Sequence, residues 1–291
     1  MATKKGDDYG YYYSKPEIDE PWINIFRRSS NSALLLFLAL IITTLVYEGA
    51  EALACLVFKY NIRFYFSEVK TPTDYHDWSR LRVFFVYLAG PVACLLVAVI
   101  MNSLYHWYAK TVEQPKLLVM WLLVCLVNIV SVNLIEAPLG VETFTQPFYR
   151  SFAIIGAWMF LKSGPLFIFM LIGVLMNIFM GYFVCYRFLE YSNSSKLLHH
   201  RSGKNYMFLQ VFVWPIFMVF PLYVTLANNF SVLHFSAILI CLLLFGLGFF
   251  IRTIQDMSIV ICNKNDVLNK VPVVTAPLVL ITWLIIFLFL K

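Results

Sequence analysis

Thr44-Leu45-Val46-Tyr47-Glu48-Gly49-Ala50-Glu51-Ala52-Leu53-Ala54-Cys55-Leu56-Val57-Phe58 closes an apolar run that opens at Ser32. At about 1.5 Å per residue, a helix over 32–58 is long enough to cross a hydrocarbon core of about 30 Å. Two carboxylates, Glu48 and Glu51, sit inside it. A charged side chain at that depth is costly, so it marks a functional or closely satisfied interior position. Residues three apart lie on one helix face, so a single packing interface can cover both.

Working outward, six more runs have the length and apolarity of spans: 82–108, 116–137, 165–190, 206–228, 231–251 and 271–290. The chain of 291 residues is 61% hydrophobic and 13% charged, against about 25% charged in soluble domains. These features predict an all-α polytopic membrane protein of about seven transmembrane helices, with six to eight compatible with the pattern. The run 151–162 is short for a span and is expected as a re-entrant or interfacial helix. Tyr60-Asn61-Ile62-Arg63-Phe64-Tyr65-Phe66 partly alternates, so a hairpin lying at the membrane surface is expected within 59–82, with Trp78 at the interface. The organisation expected is a polar tail over 1–31, mobile over its first 20 residues, a membrane core over 32–142 and additional helices over 143–291.

No basic segment leads into a short apolar core with a cleavage site, so the first run is expected to stay as a membrane helix. Arg27 and Arg28 before that run favour a cytoplasmic N-terminus, but Lys59, Arg63, Lys70, Arg80 and Arg82 favour the reverse, and the charge rule leaves both orientations open. The net charge of +6 is spread over the loops. That suits anionic lipid and gives no nucleic-acid footprint. Cys55, Cys94, Cys125, Cys185, Cys241 and Cys262 form no C-x-x-C pair and read as small buried hydrophobes.

Tyr47-Glu48-Gly49-Ala50-Glu51 has the frame of an H-E-x-x-H zinc helix with both imidazoles replaced. Glu48 fills the general-base position. Tyr47 is a poor zinc ligand because its hydroxyl ionises near pH 10. Glu51 alone does not hold a catalytic zinc. The stretch Leu45 to Ala54 resembles the H-E-x-G-H-A-x-x-A helix of the site-2 protease family of intramembrane metallopeptidases. That family follows this helix with an amphiphilic hairpin and then an A-G-P-x-x-N helix. Tyr60–Phe66 and Leu88-Ala89-Gly90-Pro91-Val92-Ala93-Cys94 stand in those places, with Cys94 where the family has Asn. The family's third ligand is an Asp in N-x-x-P…L-D-G. The counterpart here is Asn133-Leu134-Ile135-Glu136-Ala137-Pro138-Leu139-Gly140, with Gly140 in the place of the Asp.

The resemblance covers about residues 40–142. It implies a site-2-protease-like core with its metal ligands lost, hence a pseudo-protease with no metal and no cofactor. Gly90 and Pro91 are expected to serve close helix packing and a kink. Tyr47, Glu48, Glu51, Asn133, Glu136 and Glu142 are the expected lining of a polar cleft. Glu48 and Glu51 are the candidates for any catalytic part, and Glu136 and Glu142 read in preference as solvated at the membrane interface. His106 reads as an interface anchor, His234 as a hydrogen-bonded core or interface residue, and His199, His200, Arg201 and Lys204 as a solvated basic loop.

The functional expectation is a non-catalytic subunit or adaptor that binds another membrane protein in a lipid bilayer. The short loops and lack of a eukaryotic-style signal suggest a bacterial inner (plasma) membrane. The alternatives are an intramembrane enzyme with a carboxylate site, and a transporter or channel subunit using the same carboxylates as proton or cation sites.

Overall fold

In the computed structural model, residues 22–71, 78–108, 113–143, 148–190, 201–227, 231–255 and 275–290 are described. The chain is an all-α polytopic membrane protein. Its helices are α1 (Trp22–Val57), α2 (Arg80–Tyr108), α3 (Glu113–Thr143), α4 (Ser151–Trp158), α5 (Ser163–Leu189), α6 (Arg201–Val224), α7 (Val232–Gln255, with a turn at Leu243) and α8 (Thr275–Phe289). A two-stranded antiparallel hairpin, β1 (Arg63–Tyr65) and β2 (Glu68–Lys70), joins α1 to α2. Among the described residues six helices are long and apolar enough to cross a membrane: α1, α2, α3, α5, α6 and α7. The run expected at 271–290 yields α8, whose 15 residues rise only about 22 Å. Its first four residues lie outside the described ones.

Helix α3 is the axis of the bundle. Its apolar window is 89% buried, against 22% for α5, so α3 packs on neighbours all round while α5 presents a broad face outward. An aromatic stack ties the centre together. Phe208 lies flat on Phe249 at 3.9 Å and on Phe212 at 4.8 Å, and Phe212 stacks on Trp121 of α3 at 5.1 Å. Buried amides add a polar seam. Asn128 of α3 donates to the Ile238 carbonyl at 2.7 Å, and Asn177 of α5 donates to Asn128 at 3.2 Å.

The first helix begins ten residues before the expected boundary at Ser32. Residues 22–31 are helical, and Arg28, Ser29 and Asn31 are buried. The cause lies in α6. A π-helical segment, Leu209–Val213, shifts the backbone pairing and frees carbonyls. Ser29 donates to the Gln210 carbonyl at 3.0 Å and Ser32 to the Val211 carbonyl at 2.6 Å. Trp121 Nε1 donates to Ser32 in turn, and Arg28 donates to the Gln210 side chain. Removing the Ser32 hydroxyl breaks a bond to α3 and a bond to α6 together. Ser32→Ala should therefore cost about 1–3 kcal/mol, read as a lowered melting temperature in detergent. A melting temperature equal to the unaltered protein's would show that the π carbonyl finds another donor.

The basic stretch at 201–204 is also not a loop. It forms the first turn of α6, and Lys204 is buried with its ammonium 5.1 Å from the Tyr186 ring centre. His199 and His200 lie outside the described residues. His106 is exposed, edge-on to Tyr105. Cys55, Cys94, Cys125 and Cys185 are buried free thiols and Cys241 is half-buried. Cys262 falls outside the described residues.

Candidate functional site: a plugged polar cleft

Helix α1 brings Tyr47, Glu48 and Glu51 to one inward face, and all three are buried. Gly90 makes this possible. A Cβ at that position would stand 3.1 Å from the Tyr47 ring and 3.2 Å from Glu51 Cγ. The bare backbone of α2 therefore lies directly over the carboxylate face, and Pro91 sits next to it inside the helix.

The hairpin supplies a second wall. Its strands start three residues later than the alternating stretch, and its turn is packed into the protein: Phe66, Ser67 and Glu68 are buried. The Phe66 N–H donates to the Leu290 carbonyl at 2.8 Å, and its ring meets Phe235 edge-on. The Val69 N–H of β2 donates to Glu48. Glu68 pairs with Lys70 at 3.0 Å. On the outer side, Trp78 stacks between Tyr60 and Tyr87 at 4.4 and 6.0 Å.

The third wall is the start of α4, and it puts side chains into the cleft. Arg150 Nη1 lies 3.4 Å from Glu48, and Arg150 Nη2 donates to Ser231, the residue just before α7, at 3.0 Å. Ser151 Oγ donates to Glu51 at 2.7 Å and is hydrogen-bonded to the Tyr47 hydroxyl. Ser151 adopts φ = 23°. A non-glycine residue there is strained by about 1–3 kcal/mol, a cost met only when the surroundings over-determine the geometry. The space that remains is a small polar cavity of about 100 Å³, lined by Glu48, Glu51, Glu68, Arg150, Ser151 and neighbouring tyrosines.

The other expected residues divide. Glu136 is buried, not solvated at an interface, and lies 2.6 Å from His234 Nδ1. The histidine of this second acid–base pair lies in the first turn of α7, next to the capping Ser231 that Arg150 contacts. Asn133 is buried but folds back to donate to the Ile129 carbonyl at 2.8 Å. Glu142 is exposed at the end of α3 and takes no part. Arg150, Ser151 and Glu68 were not anticipated as site residues. Arg150, a single cation heading an apolar helix too short to span, was the available signal.

The donors do not suit a zinc ion. Tyr47 and Glu51, at the two imidazole positions of a zinc helix, converge on one serine hydroxyl. Gly140 has no room for a ligand side chain, because a Cβ there would collide with the Phe148 carbonyl and stand 2.6 Å from Ala153 Cβ. Among the described residues no group of three or more His, Cys, Asp or Glu side chains is arranged to hold a metal. What the arrangement can do is hold buried charge in balance: an anion on α1 against a cation on α4, and a carboxyl on α3 against an imidazole on α7. Compared with known proteins, the chain matches no protein-family model, no curated protein and no solved structure.

Proposed function

We propose that the chain is a non-catalytic membrane protein with a degenerate site-2-protease-like core, acting as a subunit or adaptor for another membrane protein. One observation carries the reading: the Ser151 hydroxyl fills the point on which Tyr47 and Glu51 converge. Hydrolysis at this site needs a metal-activated water beside a free carboxylate base. Glu48, in the base position, is engaged by Arg150 and the Val69 amide. The cleft keeps walls and charge but lacks the parts for cleavage, and binding is the use that remains.

Elemental analysis of purified protein is expected to give far less than one zinc per chain. Added zinc is expected to leave the melting temperature unchanged, because only a ligand that binds the native state raises it. A photo-crosslinker at Tyr87, on the cleft wall, should trap one membrane polypeptide in near-stoichiometric yield, while the same group at exposed Leu284 should not. About one zinc per chain, lost on Glu51→Ala, would overturn the reading. So would equal trapping from both positions.

The buried Glu136–His234 pair favours a second reading, a proton-coupled transporter or channel subunit. Proton flux in liposomes, abolished by Glu136→Gln with the fold retained, would establish that reading in place of the first.

A further inference from the structure

Helices α5 and α7 meet backbone to backbone. A Cβ on Gly181 would collide with the Phe245 carbonyl, and one on Gly248 with the Ile178 carbonyl. Such contact sinks the seam between the helices and leaves the flanking large side chains standing as walls. The result is an outward-facing apolar groove of about 500 Å³, walled by Ile172, Leu175, Phe179 and Tyr182 of α5 and Ile251 of α7. Leu175 and Phe179 are 54% and 62% exposed. From Ile172 to Tyr182 the groove runs ten residues along α5, about 15 Å, which is the hydrocarbon depth of one leaflet.

The groove changes character at its Tyr182 end. Arg252 Nη1 donates to the Tyr182 carbonyl at 2.8 Å, and its guanidinium lies over the Tyr182 and Tyr186 rings at 5.3 and 4.3 Å. This one cation, held on two tyrosine faces and only half-buried, stands where a one-leaflet chain, lying in the groove, would meet its head group. Charge and depth together select the occupant.

We propose that this groove is a binding site for an anionic phospholipid, with one acyl chain against Leu175 and Phe179 and the phosphate facing Arg252. The proposal is independent of the role of the cleft.

The test is native mass spectrometry of the whole chain after detergent exchange with equimolar phosphatidylglycerol and phosphatidylcholine of identical chains. The unaltered protein should retain phosphatidylglycerol about five-fold better, the effect of one cation near an anionic head group. Arg252→Gln should erase that preference. Leu175→Trp, which fills the groove and removes no hydrogen bond, should cut retention of both lipids. It reads the groove even if Arg252→Gln, which also loses bonds to backbone carbonyls, fails to fold. Excess inorganic phosphate should leave retention unchanged. Equal retention of the two lipids by the unaltered protein, displacement by inorganic phosphate, or full retention in Leu175→Trp would each overturn the proposal.

Discussion

Arg150→Leu is expected to destabilise the protein by about 3–5 kcal/mol, because it leaves the Glu48 carboxylate buried without its cation. The Arg150 and Glu48 side chains are only 14% and 5% exposed. Ser231 loses a donor in the same step. Arg150→Leu with Glu48→Leu should recover most of the loss, since a buried pair replaced by apolar groups is often close to neutral. The measurement is reversible unfolding in mixed detergent for the single and double variants. Neighbouring residues in one network are not additive, and the coupling is the quantity sought. A single-variant loss below about 1 kcal/mol, the range of solvated ion pairs, would mean that water reaches the cleft and that α4 does not seal it.

A second large effect is expected at Gly140. In the resembled family the corresponding position carries the third metal ligand, so Gly140→Asp nominally restores it. The packing opposes this. The new side chain would meet the Phe148 carbonyl and Ala153, and overpacking of this kind costs about 1–3 kcal/mol or more. The expected result is a lowered melting temperature together with new protease cleavage just before Ser151, as the start of α4 is pushed out of the cleft. Gly49→Ala is the control. Nothing lies within 4 Å of a Cβ built there, and alanine in a helix interior is favoured over glycine by up to about 1 kcal/mol. A Gly140→Asp protein that melts normally and takes up one zinc per chain would refute both the packing argument and the non-catalytic reading.

These two positions also mark how far the residues alone could be read. Long apolar runs carry their own signal, so the six spans and the short helix at 151 were legible. The hairpin was legible from aromatic alternation beside Lys59. The start of α1 was not, because Ser29 looks like a tail residue and Ser32 like the edge of the apolar run. They are made buriable by carbonyls of a π segment 181 and 179 residues away, and no local pattern announces such a segment. The Glu136–His234 pair joins residues 98 apart, and a lone carboxylate at the end of an apolar run gives no hint of its partner. At Glu48 and Glu51 the sequence carried the cost of burial. It did not carry the means of meeting that cost, which comes from a neighbouring segment through Arg150 and Ser151.

The bond from the Phe66 amide to the Leu290 carbonyl has a consequence in time. The two residues are separated by most of the chain. At about 5–20 residues per second of synthesis, roughly 10–45 s pass between the emergence of one and of the other. Through that interval Phe66, wholly buried in the finished protein, lacks its acceptor, and for most of it lacks its packing partner Phe235 too. Final docking of the hairpin turn against the end of the chain's last described helix is therefore expected only after Leu290 has been made.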